Sequence, residues 1–448
     1  MMKKLFVGTL LLAGVYAHAT EKSTVASSSK PNVVFLLSDD QGWMDYGFMG
    51  HPHVQTPHLD TLAAEGLLYE RGYVTAPLCR PSLASLATGL YPHQTGIRGN
   101  DPVMPEGTRP GGGKPGDKDL WVKMRKRMTA PLRQQTSFIK ELKANGYATL
   151  QTGKWWEGNP LEHGFTDAMS HGDPARGGRH GDRGLKIGRD TMQPIYSFVE
   201  KATEAAQPFF IWYGVYLPHF PHNAPERLFN KYKDSAPDEP TAWYWANVEW
   251  LDETCGQLIG YLKEKGLYDN TIFVYTCDNG WVQDSKRRNK SIRSKKEPVE
   301  AGIRTPIFIT HANTIEPQRE KEILASNIDI APTILHACGI TPPDLMHGLD
   351  LRDPKALAKR DRIFVDIYEH NSDLDQLDDL DSGLVARVVI DGWDKLIARP
   401  SGNELYDLKN DPDDRHTIAT QNPEKVQKLS AILEDWLQAT PSMVKNDG

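Results

Sequence analysis

Cysteine is scarce in this 448-residue chain: Cys79, Cys255, Cys277 and Cys338 are the only four. They are too few and too scattered for a disulfide framework, though two bridges are open to them in an oxidising compartment. If Cys79 is taken for chemistry, at least one of the other three stays unpaired. Beyond the N-terminus no apolar run is long enough to cross a bilayer, so no membrane span is expected. An excess of positive charge is also missing. The formal charge is −7, which argues against nucleic acid as the main partner. It leaves an anionic substrate open, because the local field of a cleft outweighs net charge. There is no internal repeat and no low-complexity tract.

What is present begins with an export pattern. Lys3 and Lys4 form a charged head, Leu5 to Val15 a short apolar run, and Ala17-His18-Ala19 a small-residue cleavage site. Residues 1–19 read as a secretory signal peptide with Thr20 as the mature start, and 20–30 as a polar leader. The expected location is periplasmic or secreted.

From residue 31 on, continuous apolar runs of strand length recur: "NVVFLLS" (32–38), "ATLQT" (148–152), "PFFIWYGVY" (208–216), "TIFVYTCD" (271–278) and "TPIFIT" (305–310). Such runs fit strands buried on both faces. Helical patterns lie between them: "TPHLDTLAAEGL", with Thr56 as cap and Pro57 in the first position, "QQTSFIKELKANG", "MQPIYSFVEKATEAA" and "WYWANVEWLDETCGQLIGYLKEKG". The alternation predicts an α/β domain with a largely parallel sheet. Two loops rich in Gly, Pro or basic residues, 101–118 and 170–189, are long enough to shape a site. After residue 341 the texture changes to an acidic irregular stretch, a hairpin ("LVARVVIDGWDKLIAR") and an amphipathic helix ("NPEKVQKLSAILEDWLQAT"). A small α+β domain is expected over 342–448.

Asp39 and Asp40 follow the first buried run; Asp278 and Asn279 follow another. Ligands of such sheets bind beyond the carboxyl ends of the strands. Adjacent carboxylates repel unless a cation lies between them. Three carboxylates and an amide oxygen make an all-oxygen set suited to Ca²⁺, with Mg²⁺ the alternative, rather than Zn²⁺. Either pair alone would be read as a cap or turn. Cys79 opens "CRPSLASLATG", a helix start with Arg80 adjacent, a position prepared for negative charge. Its bland alternative is a buried structural cysteine.

Taken together, "PNVVFLLSDDQGWMDYG", "TPHLDTLAAEG", "CRPSLASLATGLYPHQTGI", "TGKW", "YLPHFPH", "DNG" and "KKEPVEAGIRTP" resemble, in order, the formylglycine-dependent sulfatases of the alkaline phosphatase superfamily. "NELYDLKNDPDDRHTIA" resembles their C-terminal domain. The resemblance covers nearly all of residues 31–440. It implies a large central mixed, mostly parallel sheet flanked by helices (31–341) and a small C-terminal α+β domain with an antiparallel sheet (342–448). It implies that a formylglycine-generating maturation enzyme oxidises Cys79 to Cα-formylglycine. One hydroxyl of the aldehyde hydrate would attack sulfur and release the alcohol. The other would then lose its proton and expel sulfate as the aldehyde re-forms. The matured Cys79 would complete a metal set of Asp39, Asp40, Asp278 and Asn279. Lys154 would bind hydrate or sulfate, His219 would protonate the leaving oxygen, and Lys295 would neutralise sulfate. His222 and Lys296 are near alternatives to the last two. The implied activity is sulfate monoester hydrolysis, with sulfated carbohydrate the expected substrate. Trp155, Trp156, Tyr91, Arg98 and the basic loop are candidates for a sugar subsite.

Two positions depart from the family pattern. Leu83 stands where C-x-P-x-R has arginine, and Arg80 is expected to take over its electrostatic role. Trp156 stands where "GKWH" has histidine, and His163, His171 or His180 are the possible replacements. Two other functions remain open: a phosphodiester or phosphonate monoester hydrolase of the same superfamily, and a non-catalytic binder of sulfated glycans. Asn279 weighs against the first, since those enzymes tend to carry histidine there. The retained Cys79, Lys154, His219 and Lys295 weigh against the second.

Overall fold

The computed structural model describes residues 30–108, 114, 116–286 and 289–444. The expected signal peptide and all but the last residue of the polar leader lie outside the described residues. Eight strands form the main sheet: β1 (Asn32–Ser38), β2 (Leu67–Tyr73), β3 (Ala148–Gly153), β4 (Asp167–Ala168), β5 (Phe209–Gly214), β6 (Thr271–Cys277), β7 (Ile307–His311) and β8 (Gln318–Ser326). Their order across the sheet is β4-β3-β5-β1-β6-β7-β2-β8. Only β7 runs against its neighbours; the other pairings are parallel. The sheet is therefore mixed and mostly parallel.

The alternating faces of β1 explain its unbroken apolar run. Val33, Phe35 and Leu37 belong to one core, with helices α2 (Cys79–Thr88), α4 (Phe138–Ala144) and α7 (Ile330–Ala337). Val34 and Leu36 belong to the other, with α1 (Pro57–Ala64), α5 (Gln193–Glu204) and α6 (Glu239–Glu264). A sheet covered on both faces favours apolar side chains on both, which erases the alternation of a half-exposed strand. Helix α3 (Asp117–Met128) follows the first long loop. No helix among the described residues is long and apolar enough to cross a membrane. All four cysteines are buried and free, so the two bridges open to them in sequence are not formed.

A second, antiparallel sheet of four strands, β9 (Arg362–Tyr368), β10 (Leu384–Asp391), β11 (Asp394–Arg399) and β12 (Gly402–Asp407), carries α8 (Pro423–Ala439) on one face. Its other face, with Val365, Val388 and Ile397, packs on Tyr73, Val74 and Ile303 of the main domain. The hairpin and the terminal helix stand where the sequence puts them. Besides β12 and the short β4, strands β2, β8 and β9 were not anticipated. Each carries charge: Arg71 in β2 stacks on Trp393, β8 is exposed over its first half, and Asp366 in β9 is buried against His93 at 2.6 Å.

A buried charge cluster joins the two sheets. Lys395 Nζ donates to Glu300 Oε1 at 3.0 Å and Asp414 Oδ2 at 2.8 Å, and the Tyr73 hydroxyl donates to Glu300 Oε2 at 3.0 Å. Lys395→Met would leave two buried carboxylates without their shared cation. Removing one partner of a buried pair costs about 3–5 kcal/mol. The denaturation midpoint should fall accordingly; an unchanged midpoint would show that the cluster does not hold the sheets together.

Candidate active site

β1 and β6 are adjacent and parallel, with Ser38 level with Cys277. The residues that follow, Asp39-Asp40 and Asp278-Asn279, are thus forced side by side at the carboxyl edge. Asp40 turns into the left-handed region at φ +61. In that conformation its N–H donates to Asp278 Oδ1 at 3.1 Å, while its own Oδ1 accepts from Asn279 Nδ2 at 2.7 Å. Helix α2 delivers Cys79 from a different layer. Oxygen or sulfur atoms of Asp39, Asp40, Asp278 and Cys79 all lie within 4.8 Å of one another, and all four residues are buried.

Two lysines enter this acidic cluster. Lys154 follows Gly153, whose φ is +71 and where a Cβ would meet the Gly214 carbonyl at 1.8 Å. Glycine is required there, which gives the "TGKW" stretch a physical reason. Lys154 Nζ reaches Asp39 Oδ1 at 2.6 Å and Asp278 Oδ2 at 3.1 Å. Lys295 Nζ lies 2.5 Å from Asp40 Oδ1 and 2.8 Å from Cys79 Sγ. His219 Nδ1 is 2.6 Å from the Phe220 carbonyl, which sets its Nε2 toward Asp40 Oδ2 at 3.5 Å. Tyr216 stacks on the His219 ring at 4.3 Å and underlies Lys154 at 5.7 Å. Arg189, from the basic loop, donates to the carbonyls of Tyr216 and His219 and fixes this wall.

The electrostatics ask for more positive charge than two lysines supply. Burial pushes Asp39 up, with Lys154 opposing and Asp40 adding to the shift. Asp278 is pushed up to about 6 by burial and by Asp39, against Lys154. Asp40 goes the other way: burial would raise it, but Lys295 and His219 hold it below the usual carboxylate range. Asp39 Oδ2 and Asn279 Oδ1 are buried with no hydrogen-bond partner. Buried acceptors without donors are costly, and both are hard oxygen donors. The set fits a hard divalent cation held by Asp39, Asp40, Asp278 and Asn279. The Cys79 thiol is pushed up to about 11 by burial, Lys154 and Lys295 opposing. Burial thus favours the protonated thiol.

Asp40, Cys79, Lys154, His219 and Lys295 line one cavity of about 580 Å³; Asp39 and Asp278 cluster with Asp40 and Cys79, Asn279 donates to Asp40, and Arg80 stands apart. The expectation that Arg80 steadies the hydrate is corrected. Its guanidinium makes a bidentate pair with Glu157, Nε to Oε1 at 2.6 Å and Nη2 to Oε2 at 2.9 Å. It also donates to the Gly99 and Met128 carbonyls. Helix geometry is the reason: position 83 lies one turn from Cys79 on the same face, whereas position 80 is rotated about 100° away. Leu83 packs in the core.

The remaining alternatives separate cleanly. His222 lies against Tyr244 and Trp281, outside the cavity lining, and Lys296 lines the cavity without reaching Cys79. His163 packs on Trp155, His171 contacts Asp182, and His180 alone of the three lines the cavity, against the Trp156 ring at 5.1 Å. Tyr91 and Trp155 are core residues rather than sugar contacts. Trp156 borders the cavity but is only 3 % exposed, its ring flanked by Arg179 and His180. Sequence reasoning missed Glu157, Asn100, which caps the Arg80 N–H at 2.9 Å, and Tyr216. His180 was one of three named candidates for the histidine missing at 156, whereas only the length and charge of loop 170–189 pointed toward Arg179 and Arg189.

Arg80→Ala is expected to act on stability first, because it strands the Glu157 carboxylate in the core. The loss should be about 3–5 kcal/mol, read as a lower denaturant midpoint. Arg80→Lys should recover only part of it, since an ammonium cannot make the bidentate fork. Full stability in Arg80→Ala would show that the pair is dispensable.

Comparison with known proteins fits this geometry. The Sulfatase family model matches residues 31–340, and the model for the N-sulphoglucosamine sulphohydrolase C-terminal region matches 294–441. The chain is 28% identical over 365 residues to the N-acetylgalactosamine-6-sulfatase of Sus scrofa, covering 72% of this chain and 65% of that one. The chain thus spans slightly less than two thirds of that relative's length. It is 24% identical over 460 residues to an ulvan-active sulfatase of Formosa agariphila, covering 94% of this chain and 82% of the relative. In fold it is similar to the crystal structure of Ps i-CgsB in complex with k-i-k-neocarrahexaose, with a TM-score of 0.69, 22% identity and coverage of 91% and 92%. With a family model matched over more than half its length and the acidic, Cys79-centred site built on that model's region, the chain belongs to the sulfatase family, the formylglycine-dependent type of the alkaline phosphatase superfamily.

Proposed function

We infer that this chain hydrolyses the sulfate monoester of a sulfated carbohydrate. The observation that carries the reading is the Cys79 side chain within one 4.8 Å cluster with three buried carboxylates, and with Lys295 on its sulfur at 2.8 Å. The reading further holds that Cys79 matures to formylglycine, whose hydrate supplies the nucleophile, and that the chain acts in the periplasm or outside the cell. A maturation enzyme would act on the Cys79–Pro81 core of the motif. A divalent cation, Ca²⁺ by preference, would be held by Asp39, Asp40, Asp278 and Asn279, and would supply Lewis-acid stabilisation of sulfate.

The chain's own residues then have distinct tasks. Lys295, between Asp40 and Cys79, receives a sulfate oxygen and balances the charge that builds on it. Lys154 is held above its ordinary pKa: burial opposes the shift, but Asp278 and Asp39 outweigh it. It therefore stays an ammonium and anchors the group at residue 79. His219 presents Nε2 to the cavity. Burial pushes its pKa down to about 3, with Asp40 opposing and Lys154 and Lys295 adding. An anionic ester bound between the two lysines offsets their repulsion, favours the imidazolium and so primes proton donation to the leaving oxygen. A sulfated carbohydrate as substrate is supported by the relatives, which act on N-acetylgalactosamine 6-sulfate and on ulvan by name.

Mass spectrometry of the peptide spanning Cys79, from active enzyme made with the maturation machinery, should find the aldehyde; thiol alone would sink the formylglycine reading. That enzyme should turn over sulfate monoesters far faster than phosphate mono- or diesters. The reverse preference would favour the phosphodiesterase alternative, and no turnover at all the glycan binder. His219→Ala should lose on the order of a hundredfold or more on a sugar sulfate, but much less on an aryl sulfate whose leaving group needs no proton. Equal losses on both would remove the general-acid role. Asp278→Ala should lose bound calcium and activity together; stoichiometric zinc in the wild type, without calcium or magnesium, would overturn the metal assignment.

A further inference from the structure

The cavity around Cys79 does not end at the reacting groups. At Lys296 and His370 it adjoins a second cavity of about 490 Å³, formed where loop residues Arg98 and Val103 meet the segment 368–383, and both residues line both spaces. Lys296 stands at this junction in a backbone conformation that disfavours lysine. Its φ is +75, and its N–H is tied to the Pro77 carbonyl at 2.8 Å, just ahead of the Cys79 helix. Glycine would accept this conformation without strain. A strained position that keeps a long cationic side chain calls for a reason in function.

The surroundings of that side chain supply one. Lys296 is partly buried, and among the described residues its ammonium has no hydrogen-bond or ion-pair partner. Lys290 and Lys295 repel it; Glu369, the acid that acts on it, is exposed. Across the second cavity Arg98 is only 3 % exposed. Its guanidinium donates to the carbonyls of Asp379 at 2.6 Å and Leu377 at 2.7 Å, stacks on Tyr368 at 4.9 Å, and meets no carboxylate. Its Nε is buried without a partner. Glu369 and Asp373 are the acids of the lining. Lys296 and Arg98, neither in an ion pair among the described residues, thus border a space that shares Lys296 and His370 with the sulfate site.

We propose that Lys296, backed by Arg98, binds a second anionic group of the substrate, a sulfate or a carboxylate on the part of the glycan next to the cleaved ester. The preferred substrate is then a multiply anionic glycan. This rests on the sulfate-ester reading of the adjoining site and extends it to substrate choice.

The test uses binding of small probes to the full chain carrying Cys79→Ala. The probes are n-alkyl sulfates with three to six carbons and the same chains bearing a terminal second sulfate or a terminal carboxylate. At low salt, at least one doubly charged probe should bind tenfold or more tightly than its singly charged counterpart. Lys296→Gly should erase that preference and Lys296→Arg keep it. Lys296→Gly should also melt no lower than its parent, because glycine is at ease at this φ. Comparison of the bis-sulfates with the sulfate–carboxylates identifies the second anion. Equal affinities, no binding of any probe, or a preference that survives Lys296→Gly overturns the proposal. A lower melting temperature with the preference intact assigns Lys296 a structural role and overturns it as well. Failure of the underlying reading shows separately, as absence of sulfate-ester turnover by matured wild-type enzyme.

Discussion

The site depends on one constraint: three carboxylates must be buried together at the edge of a parallel sheet. Parallel pairing of β1 and β6 in register leaves no freedom in this, since whatever follows Ser38 and Cys277 emerges side by side. Isolated buried charges are expensive, and like charges more so. The chain answers with counter-charge from outside the pair of strands. Lys154 comes from the end of β3 and Lys295 from the loop before β7, and each bonds at least one carboxylate. Even so, two of the three acids stay above their ordinary pKa and two oxygens stay without donors. That residue of unmet negative charge is what suits the cluster to a cation beyond its two lysines.

The same logic sets where the walls can come from. The strand ends fix the acids rigidly, so variation falls to loops and to the second sheet, as expected where a scaffold positions a site and loops shape it. Arg189 clamps the carbonyls behind His219, and Arg179 and His180 flank Trp156. The segment between β9 and β10 closes the far side at His370. This segment is held through β9, whose Asp366 meets His93 of the main domain, and through the Lys395 cluster. The small sheet therefore serves the site at a distance: its packing decides where His370 and the second cavity stand.

Legibility in the sequence followed the physics of each element. Strands buried on both faces were visible because their residues are uncharged and mostly apolar or small over most of their length; β1, β3, β5, β6 and β7 are of this kind. Strands β2, β8 and β9 were not, because each carries charge whose partner is remote in sequence. Asp366 pairs through Oδ2 with His93, 273 residues away, and no local pattern carries that. The acidic pairs were legible from their place after buried runs. The resemblance favoured Lys295 and His219, but the residues alone left Lys296 and His222 open: neighbours in sequence diverge once the backbone turns, as Lys296 does at φ +75.

The two departures from the family pattern have different physical outcomes. At position 83 the structure shows no relocated charge. Leu83 fills core, and Arg80, one residue from Cys79, faces away into a pair with Glu157. Position 83 lies one turn from Cys79 and about 40° from it around the helix axis, whereas position 80 lies about 100° away, so a charge at 80 points elsewhere. At position 156 the outcome is the reverse. Trp156 is buried, yet the loop that packs on it brings His180 to the same cavity, with Arg179 on the ring beside it. A bulky aromatic can recruit a histidine from elsewhere, since its face offers a surface to stack on and a loop can approach it from any direction. Substitution at a helix position is answered by the helix's own geometry, whereas substitution at a strand end is answered by the loops around it.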